Sequence, residues 1–179
     1  MPFHAALLGG MNLGNRRITN AELTGEFEAL GFERVSTFRA SGNVIFDASG
    51  QAEGELVAAI EEGLAESLGY PVPTWVRTED EVREIRDFDP FDLEVVAQTK
   101  GKLQVALLAA GPSAAARKEV LGLAGDDDRL ALVERELYWL PRGGITDSEL
   151  DLDRIGKALG PMTMRTKGTI EGIAAKIPE

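Results

Sequence analysis

Three short segments concentrate the residue types that could do chemistry. The first is Gly9-Gly10-Met11-Asn12-Leu13-Gly14-Asn15-Arg16-Arg17. Its glycines and asparagines tolerate positive φ and let a ligand approach the backbone closely. Successive free amides in such a loop form an anion nest, and Arg16 and Arg17 add positive charge. The spacing fits neither a Walker loop nor a dinucleotide fingerprint. The competing reading is an ordinary strand-to-helix connection solvated by its polar side chains.

The second segment is Arg39-Ala40-Ser41-Gly42-Asn43. It reads either as a hairpin turn with Gly42 and Asn43 in turn conformations, or as a site using the Ser41 hydroxyl and the Asn43 amide as hydrogen-bond partners. Ser41 is a poor nucleophile here, because a base is required and His4 is the only histidine in the chain. The third segment, Thr163-Met164-Arg165-Thr166-Lys167-Gly168-Thr169, precedes the last expected helix. Hydroxyls and two cations at a helix start suit an oxyanion or phosphate. An ordinary N-cap with Thr166 as the cap is the plainer alternative.

Other chemistry is poorly provided for. The chain has no cysteine and one histidine, which leaves no thiolate nucleophile, no disulfide and a weak donor set for zinc. No metal site is expected, and the sequence specifies no cofactor. Asp126-Asp127-Asp128 lacks the glycine and glutamate of a calcium loop. No spacing pairs two carboxylates for acid–base work. Trp75, Tyr138 and Trp139 fall on expected strands and read as packing residues, and His4 reads as a packed strand residue.

Composition narrows the partners. The formal net charge of −11 repels phosphate backbones and anionic lipid at long range. Nucleic-acid binding is therefore disfavoured, although one local basic patch can still hold a single small anion, because screening confines the global field to about 8 Å. No apolar run is long enough to span a membrane, and the opening residues lack a signal-peptide pattern. A cytoplasmic protein is expected.

The elements that must position these segments follow from hydrophobic periodicity. Phe3–Leu8 reads as a buried strand and 21–30 as a helix capped by Asn20. Strands at 35–38 and 44–46 form a hairpin, 53–68 is an amphipathic helix, 71–77 is a strand, and Thr78 caps a short helix. The pattern then restarts. A strand at 103–109 is followed by a helix at 114–123, a hairpin from 130 to 140, a helix at 147–159, a short strand at 162–165 and a final helix. Each half follows the split βαβ, ferredoxin-like order. The expected fold is α+β, with two ferredoxin-like halves, residues 1–90 and 91–179, packed into one compact unit. Residues 87–102 read as a short linker.

The segment FHAALLGGMNLGNRRITNAELTGEFEALGFERVSTFRASGNVIF resembles the start of the domain-of-unknown-function family 1697. That family shows an apolar strand, a pattern like L-L-R-G-I-N-V-G, an A-E-L helix ending L-G-F, and then S-G-N-V-x-F. Its C-terminal T-x-R-N-x-x-T pattern is matched by Thr163, Arg165 and Thr169. The resemblance implies two ferredoxin-like halves and no established activity, cofactor or substrate. This chain departs from the pattern at Gly9, Ala40 and Thr166, where arginine, glutamine and asparagine are usual.

The leading expectation is a protein that binds a small anionic or phosphate-bearing ligand. Its site would combine Gly10, Asn12, Gly14, Arg16, Ser41, Asn43, Arg165 and Thr169. Backbone amides and the two arginines would hold the anion while the asparagines orient it. The alternatives are a protein-interaction or assembly module, or an enzyme working by electrostatic positioning without cysteine or metal.

Overall fold

The computed structural model describes every residue except Met1, Asn12 and Ser41. The chain forms two compact units. Unit 1 comprises Met1–Arg86 with Ile170–Glu179, and unit 2 comprises Asp87–Thr169.

Unit 1 contains β1 (Phe3–Leu8), α1 (Asn20–Ala29), β2 (Glu33–Thr37), β3 (Asn43–Asp47), α2 (Glu53–Leu68), β4 (Thr74–Thr78) and nearly all of α3 (Glu79–Asp87). Its four strands make an antiparallel sheet in the order β2-β3-β1-β4. Unit 2 continues with α4 (Leu93–Gln98), β5 (Gln104–Leu108), α5 (Ala114–Leu121), β6 (Asp128–Val133), β7 (Glu136–Pro141), α6 (Leu152–Leu159) and β8 (Met162–Thr166). Its sheet repeats the same order as β6-β7-β5-β8. The last helix, α7 (Lys167–Lys176), opens in unit 2, and its residues from Ile170 onward group with unit 1. Two α+β units of one topology are what the repeated element order requires.

Each sheet has its own core on its helix-covered face. In unit 1, Ala6, Leu8, Val44, Phe46 and Val76 meet Leu23 and Phe27 of α1 and Leu56, Ile60 and Leu64 of α2. In unit 2, Ala106, Leu108, Leu137 and Trp139 meet Val120 of α5 and Ile155 of α6. The opposite-facing residues of β1, Phe3, Ala5 and Leu7, are buried too. Burial on both faces explains why β1 reads as a continuous apolar run with no alternation.

Several boundaries differ from the periodicity reading, each for a local reason. Thr19 caps α1 in place of Asn20: its hydroxyl accepts from Glu22 N at 3.1 Å, while Glu22 Oε2 accepts from Thr19 N at 2.7 Å. This reciprocal capping box satisfies two donors at once, which a lone asparagine cannot do. β4 starts only at Thr74, after the two prolines. The stretch read as a linker contains α4, opened by Asp92 accepting from Glu94 N at 2.8 Å. The helix expected from Asp147 begins at Leu152, where Asp151 accepts from Arg154 N at 2.9 Å; a single 3-10 turn at Ile145–Asp147 precedes it.

The two halves differ in the lengths of their equivalent connections. β1 and α1 are joined by residues 9–19, whereas β5 and α5 need only residues 109–113 for the same connection. The β2–β3 turn spans residues 38–42 and its counterpart only Glu134 and Arg135. Unit 2 is longer elsewhere, with 142–151 after β7 against 48–52 after β3.

Candidate functional site

The extra length of unit 1 gathers at one end of its sheet, where three connections meet. Leu8 N donates to Gly42 O at 2.8 Å, which ties the end of β1 to the hairpin turn. Gly9 N donates to Pro73 O at 2.8 Å, which ties the long loop to the α2–β4 connection. Glycine is required at 42: its φ is +80°, and a Cβ there would lie 2.8 Å from the Leu8 Cβ and 3.0 Å from the Met11 Cγ. Met11 is buried and belongs to the unit 1 core, so the loop is anchored at its start.

Beyond Met11 the loop turns outward. Gly10 and Gly14 both have positive φ, +67° and +55°. Arg16 then folds back, its guanidinium carbon 4.1 Å from the centroid of the Tyr70 ring. Its Nη1 lies 3.6 Å from where a Gly10 Cβ would sit. The guanidinium makes no hydrogen bond or ion pair among the described residues. Arg17 behaves differently, with its Nη1 donating to Gly14 O at 3.0 Å and to Arg16 O at 2.7 Å. Of the two cations in the motif, Arg17 braces the loop, and Arg16 lies on an aromatic face with its donors unused among the described residues.

Two of the expected site residues, Asn12 and Ser41, lie outside the described residues. Gly10, Gly14 and Arg16 share the loop, and the turn carrying Asn43 sits against its start. Asn43 itself is 2 % exposed, and its Nδ2 donates to Phe38 O at 3.0 Å, closing the hairpin from within. Arg165 and Thr169 belong to unit 2. There Arg165 Nη1 donates to Thr163 Oγ1 at 2.8 Å and to Met164 O at 3.0 Å, and burial pulls its pKa below the ordinary guanidinium value. Thr169 N donates to Thr166 Oγ1 at 3.2 Å, and the two hydroxyls are 3.0 Å apart. Thr166 therefore caps α7, which occupies the Thr169 amide.

The sequence reading passed over two residues at the unit 1 end. Tyr70 follows Gly69, which closes α2 in the left-handed conformation at φ +80°. Helix α2 runs toward the same end as β1, so the residue after its cap had to arrive beside the long loop; topology was the available signal. Arg39 stands in the β2–β3 turn, where the sequence pattern alone assigns it no role. It adopts φ +56°, and Asn20 Nδ2 donates to its carbonyl at 3.2 Å. Its guanidinium carbon lies 5.3 Å from the Phe38 centroid, with no hydrogen bond or ion pair among the described residues. A non-glycine residue at positive φ costs about 1 kcal/mol or more and recurs at functional sites.

His4 is 6 % exposed and stacks on Phe46 at 5.8 Å. A hydrogen bond links it to the Pro2 backbone, and its Nδ1 has no partner among the described residues. Burial lowers its pKa, so it is neutral at pH 7. Two adjoining clefts of about 540 and 580 Å³ lie in unit 2, around Lys100, Asp127 and Arg142, and contain none of the expected site residues. Among the described residues no group of three metal-ligating side chains assembles, and no helix is long and apolar enough to cross a membrane.

The pattern of the family described as "Protein of unknown function (DUF1697)" matches residues 1–138. No curated protein sequence matches the chain. Among solved structures, the conserved bacterial protein SP0830 from Streptococcus pneumoniae is similar in fold. It has 19% sequence identity and a TM-score of 0.71, with 97% of each chain covered.

Proposed function

The chain belongs to the DUF1697 family, and from its own geometry we propose that it binds a small phosphate-bearing anion at the loop-rich end of unit 1. The proposed site is confined to that unit. Gly10, Gly14 and Arg16 form it, with Asn12 and Ser41 assigned by sequence position and Asn43 supporting the turn from within.

The observation that carries this reading is the state of Arg16. A cation on the face of an aromatic ring is oriented without being neutralised. Its donors are left for an anion, and guanidinium matches phosphate oxygens bidentately. The loop that presents it is longer than the fold needs, as the five-residue connection of unit 2 demonstrates. An arginine positioned on an aromatic ring and without an ion pair among the described residues is a conspicuous feature in a chain of net charge −11.

Calorimetric titration of the full chain with orthophosphate and with pyrophosphate tests this. Saturable heat with at least one of them, abolished in Arg16→Gln, is expected. Absence of heat with both anions, or an unchanged isotherm in Arg16→Gln, overturns the reading.

A further inference from the structure

We infer that unit 2 holds a second, separate binding site, and that it takes a small acidic amino acid: two carboxylates and one ammonium on a short carbon chain. The site is the cleft of about 540 Å³ between the tail of α4 and the adjoining ends of β6 and β7. That volume is ordinary for a small-molecule pocket. The cleft lies wholly within unit 2 and shares no residue with the anion site of unit 1. Its walls are fastened to one another. Gly101 N donates to Arg142 O at 3.2 Å, and Arg142 N donates to Asp127 O at 2.8 Å. A Cβ on Gly101 would lie 1.9 Å from Pro141 O and 2.5 Å from Gly143 O, so the chain after α4 presses directly on the backbone leaving β7.

The charges around this cleft divide into those the fold uses and those it leaves. The run Asp126-Asp127-Asp128 has three different fates. Asp128 Oδ1 accepts from Trp139 Nε1 at 2.8 Å and from Ser148 Oγ at 2.7 Å, which fixes the start of β6. Asp127 pairs with Arg142 at 2.9 Å. Asp126, Lys100 and Arg129 also line the cleft, and none of them makes a hydrogen bond or ion pair among the described residues. Arg129 stands opposite Leu140 in the β6–β7 pairing, and Leu140 and Val95 supply the apolar part of the wall. Two uncommitted cations and one uncommitted carboxylate call for the inverse set on a ligand. An acidic α-amino acid carries that set, with methylenes to lie against Val95 and Leu140. The Arg129 guanidinium takes one carboxylate as a fork, the Lys100 ammonium takes the other as a point charge, and Asp126 accepts from the ligand ammonium. A phosphate ester fits less well, because its extra negative charge stands beside Asp126 and Asp127. Each exposed contact is weak alone, so recognition depends on meeting all three together.

The test is an amide NMR titration of the isotope-labelled full chain at one fixed ionic strength, which both measures weak binding and locates it. The probes are L-aspartate and L-glutamate, with glutarate, which lacks the ammonium, and L-glutamine, which lacks the second carboxylate. Saturable shifts with at least one acidic amino acid are expected, centred on the amides around Lys100 and Arg129. Glutarate and glutamine should bind at least about five-fold more weakly than glutamate. Arg129→Gln and Lys100→Gln should each weaken the acidic amino acid by at least about five-fold, and Asp126→Asn should remove its advantage over glutarate. All three positions are exposed, and thermal melts verify that the variants are folded. Arg16→Gln should leave the titration unchanged, which separates this site from the one in unit 1. No saturable shift with either acidic amino acid overturns the inference. So do glutarate or glutamine binding as tightly as glutamate, an unchanged affinity in Arg129→Gln, Lys100→Gln or Asp126→Asn, or shifts that disappear in Arg16→Gln.

Discussion

Arg77 and Arg165 occupy one position in two sheets. Arg77 pairs with Ala5 on β1, and Arg165 pairs with Val105 on β5. Each donates Nη1 to the carbonyl of the residue before it, Arg77 to Val76 at 2.9 Å and Arg165 to Met164 at 3.0 Å. Each is followed by a threonine whose hydroxyl accepts from an amide of the next helix, Thr78 from Glu81 N and Thr166 from Thr169 N. The correspondence extends to His4 and Gln104, which pair with those threonines.

A guanidinium with 1 % exposure is structural before it is anything else. Arg77→Ala is expected to destabilise the protein by about 3 kcal/mol, through lost packing and stranded partners. Arg165→Ala should cost less, about 2 kcal/mol, because Arg165 is less fully buried. Urea denaturation of the two variants checks the order; a larger loss at Arg165 would contradict it.

His4 makes stability depend on pH. Its folded pKa lies below the ordinary 6.5 because burial disfavours the charged ring. On acidification the unfolded chain therefore takes up this proton first. The contribution of His4 is fully present above 6.5 and is lost as pH falls from there through the folded pKa. His4→Gln, the residue unit 2 carries at the equivalent place, is expected to flatten this dependence. Free energies of unfolding for both proteins at about pH 8 and about pH 5 give the comparison. A parallel decline in the two would show that His4 contributes nothing to it.

Three glycines should rank by what a methyl group meets. In Gly101→Ala the new carbon would lie 1.9 Å from Pro141 O, which is backbone, so a loss of about 3 kcal/mol or more is expected. Gly42→Ala combines φ +80° with contact against Leu8 and should lose about 2 kcal/mol. Gly14→Ala meets nothing within 4 Å and pays only for φ +55°, about 1 kcal/mol. Melting temperatures of the three variants reveal the ranking.

Replacing residues 9–19 with the sequence of 109–113 separates fold from function. Unit 2 makes the same connection with that short segment, so the chimera should fold. It loses Met11 and Ile18 from the unit 1 core and should be less stable by about 3 kcal/mol. Anion-dependent heat should vanish with the loop. A folded chimera that still binds pyrophosphate would place the site elsewhere.

How much of this was legible beforehand depended on the range of the interactions involved. The repeated strand and helix order, the apolar β1, the Thr166 cap and the Gly/Asn/Arg character of the first loop are local properties. They follow from side-chain periodicity and from hydrogen bonds a few residues apart, and the family resemblance rests on the same local strings. Boundaries set by competing local bonds, such as Thr19 against Asn20, were already finer than periodicity resolves.

The sequence by itself determined a doubled α+β chain with its unusual polarity concentrated in a few connections. Only the tertiary structure decided that Tyr70 meets Arg16, that Asn43 turns inward to Phe38, and that Arg77 answers Arg165. The first joins residues far apart along the chain, the second closes a hairpin turn, and the third is an equivalence of position; each exists only once sheet pairing has fixed the register. Burial then settles which polar groups spend their hydrogen bonds on the fold and which keep them.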